Sequence, residues 1–181
     1  MRKKLWIILA LLLVIPGLLF TVSCAKKAVK SDAELEQQQA TEQARQEEMV
    51  KQQAMEEEMQ AQTRRKMAAK NRFLNENIHF EFDRSNLLPE AQEILRSKAQ
   101  WLRDNPDVLV IIEGHCDERG TNEYNLALGD RRANSAKAYL ADIGIAGARL
   151  TCISYGEEKP LDPGHNQEAW AKNRRAQFTI D

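Results

Sequence analysis

Apolar positions fall into three regimes along the 181 residues. Residues 5–20 are apolar throughout, apart from Pro16 and Gly17. Residues 26–70 hold only scattered apolar positions, such as Leu35, Met49, Val50, Met55, Met59 and Met67, among Gln, Glu, Ala, Lys and Arg. From residue 71 onward the pattern becomes periodic. Ile78, Phe80 and Phe82 alternate with His79 and Glu81, which predicts a first strand. Pro89 opens a helix whose Ala91, Ile94, Leu95, Ala99 and Leu102 share an inward face, and Asn105-Pro106 stops it. Residues 108–113 predict a second strand, apolar on both faces and therefore central in a sheet. A helix follows and ends near Ile143-Gly144. Residues 150–155 predict a third strand, and Pro160 and Pro163-Gly164 mark a loop. Residues 167–173 predict a short helix, and alternating Ala176, Phe178 and Ile180 predict a closing strand. Strands and helices in alternation give an α/β (α+β) sandwich, a mixed four-stranded sheet with helices on one side.

The three regimes divide the chain into residues 1–23, 24–70 and 71–181. Arg2, Lys3 and Lys4 before the apolar run, and Val22-Ser23-Cys24 after it, read as an export signal. The small residues before Cys24 resemble a lipobox, with Thr21 where Leu is usual, so Cys24 is expected to become a lipidated first residue, and Ala25 after it, in place of Asp, resembles lipoproteins sent to the outer membrane, here on its periplasmic face. A retained membrane span is the alternative, although the Pro-Gly pair interrupts a run near the lower limit for crossing a bilayer. Residues 24–70 lack glycine and proline beyond Cys24, and their composition favours helix without enough apolar surface for a core. They read as a charged tether, helical or disordered. At ~1.5 Å per residue a fully helical tether reaches ~65–70 Å. Self-association as a coiled coil is left open by the weak apolar repeat.

Charge adds little. With 26 Lys and Arg against 27 Asp and Glu, no field for nucleic acid is expected. Of the three cysteines, Cys116 and Cys152 remain once Cys24 is set aside. In an oxidising compartment they could form a disulfide, and spacing alone does not decide whether they do.

The candidate chemistry lies in residues 113–133, EGHCDERGTNEYNLALGDRRA. A strand stops, a polar loop containing Gly114 and Gly120 follows, and a helix begins. Thr121 is the expected N-cap, and Glu123 suits the helix dipole. Asn125, Leu128 and Arg132 share one helix face, while Leu126, Ala133, Ala136 and Leu140 share an apolar one. Asp117 and Arg132 converging beside this helix would suit a zwitterion, with Arg132 gripping a carboxylate and Asp117 an ammonium. The competing reading is that the two residues pair with each other and only fix the loop. His115-Cys116-Asp117-Glu118 suggests a metal or a thiol nucleophile. Neighbouring residues at a strand end point in opposite directions, however, and neither CxxC nor HExxH occurs, so no metal, cofactor or catalytic residue is expected.

DERGTNEYN, followed by SYGEEKP and NRRA, resembles the OmpA-like peptidoglycan-binding domain family, over about residues 71–181. The resemblance implies a βαβαβ(α)β fold and an outer-membrane lipoprotein that binds peptidoglycan through the diaminopimelate of its stem peptide. Its implied ligand residues are Asp117, Arg132, Asn125, Leu128, Phe82 and Asp83, with Arg119 able to reach a second carboxylate. Asp83 could instead cap the following helix, and Arg119 could be a solvated loop charge. Asn173-Arg174-Arg175 would support the motif loop or a partner surface. Cys116 stands where the family more often has Thr, Ala or Asn. Implied partners are Tol proteins such as TolB. Two other readings stay open: a protein-docking module without wall binding, and a wall hydrolase, for which no activated nucleophile is legible.

Overall fold

The computed structural model describes residues 31–181. The expected signal, residues 1–23, and the lipidation site Cys24 lie outside the described residues. Two units are present, one ending at Lys51 and the other running from Gln52 to Asp181. Helix α1 (Asp32–Asn75) begins in the first unit. Residues 31–51 are exposed throughout, as expected of a sequence rich in helix formers but without an apolar stripe. No helix among the described residues is long and apolar enough to cross a membrane.

The second unit begins within α1, whose last turn buries Phe73. The Phe73 ring stacks on Trp101 at 4.3 Å and meets Phe178 edge-on at 5.9 Å. The remaining elements are β1 (Ile78–His79), α2 (Pro89–Asp104), β2 (Val110–His115), α3 (Asn122–Asp142), β3 (Leu150–Gly156), α4 (Gln167–Asn173) and β4 (Arg175–Ile180). The sheet order is β1-β4-β2-β3, with β2 parallel to β3 and β4 antiparallel to both β1 and β2. This is the mixed four-stranded sheet expected, with β2 inside it. Val110, Ile112, Leu150, Ala176 and Phe178 meet Leu95, Leu102, Ala133, Ala136 and Leu140 of α2 and α3 in one core.

Lys98 of α2 is an unforeseen member of the interior. It donates to the carbonyl of Phe73 and lies 4.8 Å from the Phe73 ring centroid and 4.5 Å from that of Phe178. A cation at a helix C-terminus satisfies a carbonyl that the helix itself leaves unpaired. Burial nevertheless pushes this amine down to about 8, with Glu76 opposing the shift.

Two strands differ from the sequence-based expectation. The first is only two residues long. The Phe80 amide still donates to the Arg174 carbonyl at 3.0 Å, but Asp83 adopts φ 52° and turns the chain. Asp83 is therefore not a helix cap, and Leu88 holds the N-cap position of α2 without a side-chain bond. The second strand starts at Val110, where pairing with Leu150 begins, and the preceding Leu109 is exposed.

Glycine sets the distance between α3 and the sheet. A Cβ on Gly114 of β2 would stand 1.9 Å from the carbonyl oxygen of Gly129 in α3. Only hydrogen at these positions lets the two backbones approach this closely, which seats Asn125, Leu128 and Arg132 beside the end of β2.

Candidate binding site

The loop from β2 into α3 is built on local chemistry. The Thr121 hydroxyl accepts from the Tyr124 amide at 3.3 Å, the expected N-cap. Gly120 supplies φ 122° ahead of it, a value that side-chain-bearing residues rarely adopt. The Asn125 amide group closes the loop by donating to the carbonyls of Asp117 and Arg119, each at 3.3 Å, and to Glu157 at 2.5 Å.

A cavity of about 220 Å³ opens beside this loop. Phe82, Asp83, Asp117, Arg119, Asn125, Leu128 and Arg132 all line it, although they come from three separate parts of the chain. Tyr124, Arg174 and Cys116 also line it. Arg174 belongs to the NRRA run, expected to support the motif loop or a partner surface, and it reaches Asp117 of that loop, 57 residues away.

Arg132 is fully buried. Its guanidinium donates to the carbonyls of Arg84 at 2.9 Å, His115 at 2.8 Å and Glu81 at 3.2 Å, and to Cys116 Sγ at 3.3 Å. No carboxylate among the described residues forms an ion pair with it. Burial lowers its affinity for a proton, and Cys116 and Asp117 oppose that shift. The carbonyls fix the orientation of the guanidinium but do not neutralise its charge.

Asp117 does not pair with Arg132. Its carboxylate is gripped by Arg119, at 3.0 and 2.8 Å, and by Arg174 at 3.1 Å. Burial acts to raise its pKa, but the hydrogen bonds from these two arginines outweigh burial and hold the carboxyl below its usual range. Arg119 is thus paired with Asp117 and is not a free loop charge. Asp83 accepts from the Tyr124 hydroxyl through one oxygen.

The two cysteines are free, and the sheet register gives the reason. Cys152 stands opposite Ile112, four residues before Cys116, so the two are separated by roughly 13 Å along the strand direction, too far for a disulfide. The cross-link that the sequence left open is not made. Burial pushes the Cys116 thiol up to about 11, and the thiol donates to the Asn125 carbonyl at 3.3 Å. Among the described residues, no group of three or more His, Cys, Asp or Glu is placed to hold a metal ion.

The mixed sheet thus carries, at one cavity, a buried arginine with no ion pair among the described residues beside a doubly paired aspartate. The OmpA family profile matches residues 79–174, and the chain belongs to that family. It is 44% identical over 107 residues to a peptidoglycan-associated lipoprotein of Mesorhizobium japonicum, covering 59% of this chain and 64% of the relative. The peptidoglycan-associated lipoprotein of Haemophilus influenzae is 48% identical over 99 residues, with 55% of this chain and 65% of the relative covered. The chain thus spans a little under two thirds of the length of these relatives. The crystal structure of the peptidoglycan-associated lipoprotein from Burkholderia pseudomallei superposes with a TM-score of 0.56 at 39% identity, covering 58% of this chain and 89% of that one. The C-terminal domain of Helicobacter pylori MotB, at 20% identity and a TM-score of 0.55, shares the fold.

Proposed function

We propose that this chain holds peptidoglycan non-covalently, by the diaminopimelate of the stem peptide, and so ties the outer membrane to the cell wall in support of envelope integrity and cell division. The observation that carries the reading is Arg132, fully buried at the cavity and without a carboxylate partner among the described residues. A buried cation without a counter-ion is costly, and a ligand carboxylate would relieve that cost, accepting from the one guanidinium N–H that the three carbonyls and Cys116 leave free. The cavity, at about 220 Å³, lies below the ~300–1,000 Å³ of drug-sized sites. That size suits the end of one amino acid.

In this reading Arg132 takes the carboxylate and Asp117 the amine. Asp83 has an oxygen to spare for the same amine, and Asn125, Leu128 and Phe82 complete the walls. No bond is made or broken. Anchoring at Cys24 and partnership with Tol proteins such as TolB belong to the same proposal and rest on the likeness to peptidoglycan-associated lipoproteins.

Purified sacculi should retain the protein, and free diaminopimelate should release it. Arg132→Lys should bind at least ~30-fold more weakly, because an ammonium cannot reproduce the fork of a guanidinium. Retention that free diaminopimelate leaves untouched, or full affinity in Arg132→Lys with the fold intact by circular dichroism, would remove the basis for the proposal.

A further inference from the structure

Asp117 has no acceptor position left for an incoming amine. Oδ1 accepts from the Arg119 backbone amide at 3.2 Å and from its Nε at 3.0 Å. Oδ2 accepts from Arg119 at 2.8 Å and from Arg174 at 3.1 Å. A carboxylate offers about four lone-pair positions, so an ammonium can reach this one only by displacing a donor.

The three arginines of the cavity differ in how firmly they are held. Arg132 is fixed by three carbonyls. Arg174 also donates to the Phe80 carbonyl at 3.0 Å, and its side chain is 12% exposed. The Arg119 guanidinium has Asp117 as its only hydrogen-bond partner among the described residues, and its side chain is 29% exposed. Its remaining contacts are ring faces, Phe82 at 3.9 Å and Trp170 at 4.3 Å. Trp170 is held in place by its indole N–H, which donates to Glu118 at 2.9 Å. The two rings form a cradle that keeps Arg119 on Asp117 without tying it to the backbone.

We infer that Arg119 is a specificity-determining residue of this site: its guanidinium stands where the ligand's ammonium goes, and binding exchanges one cation for the other. The inference rests on the wall-binding reading above. A stem peptide whose diaminopimelate amine is acetylated leaves the Arg119–Asp117 pair in place and binds through Arg132 alone. A peptide with a free amine must first release Arg119, so Arg119 narrows the preference between the two peptides.

The test is calorimetric titration of the full-length mature protein with a muramyl tripeptide ending in diaminopimelate, and with the same peptide N-acetylated at that residue. Arg119→Gln should bind the free-amine peptide about tenfold more tightly and the acetylated peptide unchanged. Trp170→Leu, which removes one wall of the cradle, should shift the same ratio in the same direction by less. If wild type binds the free-amine peptide and Arg119→Gln binds it equally or more weakly, with a native thermal transition, the exchange is overturned and wall binding stands. If neither wild type nor variant binds either peptide, wall binding itself fails and the exchange fails with it.

Discussion

At the scale of single residues, the interior holds groups whose protonation couples to folding. His115 is buried at 1% exposure, and among the described residues neither ring nitrogen meets the geometry of a hydrogen bond. Its ring stacks on Tyr155 at 5.7 Å. Burial pushes this imidazole down to about 3 from 6.5, and the charges of Arg175 and Lys159 add to the effect. The Glu113 carboxylate, 3.7 Å away, does not reverse it. An unfolded histidine takes up a proton near 6.5 and the folded one does not. The neutral histidine's contribution is therefore intact above that value and is lost as pH falls toward 3. Two pH units below 6.5 the loss should reach ~2–3 kcal/mol. His115→Phe keeps the ring stack and removes the titration, so its melting temperature should fall less than that of wild type between pH 7 and 4.5. Parallel curves for the two proteins would show that His115 does not govern acid sensitivity.

At the scale of elements, the crossing of α3 over β2 depends on two positions without side chains. Gly114→Ala would drive a methyl group against the Gly129 carbonyl, backbone against backbone, where neither partner is the end of a flexible chain. It should cost ~2–4 kcal/mol and weaken peptide binding as well, because Asn125, Leu128 and Arg132 move with the helix. Unchanged thermal stability in this variant would mean that the two elements can separate freely. Which elements the sequence made legible follows from similar local physics. Helix α4 occupies the expected residues 167–173 because Asn166, whose side chain accepts from the Ala169 amide at 2.9 Å, is a strong local start signal. The first strand was over-read, since Phe82 continues the alternation in sequence while Asp83 turns the backbone, leaving Phe82 55% exposed against Arg119. The residues lining the cavity were legible from the motif, but their pairing was not. Arg132 is satisfied by carbonyls of residues 81 and 84 and Asp117 by Arg174, and nothing local in the sequence encodes contacts over such separations.

At the scale of the whole molecule, the last turn of α1 is held against the sheet and α2 by a socket around Phe73. Phe73 sits at 2% exposure between Trp101 and Phe178, with Lys98 on the carbonyl above it. A fragment starting at Gln52 should fold and bind sacculi like the mature protein. One starting at Asn77 removes Phe73 from the core and should lose ~3–5 kcal/mol of stability. Equal melting temperatures for the two fragments would show that the socket is dispensable. Beyond the socket the chain passes directly into β1, which is joined to β4 by the pairs Ile78–Ala176 and His79–Arg175, and then into Phe82 and Asp83 at the cavity. Tension drawn along the tether therefore meets the Phe73 socket before it reaches the two-residue strand behind the cavity wall. Within the proposed function, the Phe73 socket is the first contact to bear load, and once it yields, β1 is the next element loosened behind the cavity. Single-molecule pulling between Gln52 and Asp181 should register Phe73→Ala as a lower first rupture force, since forced unfolding follows the unfolding rate.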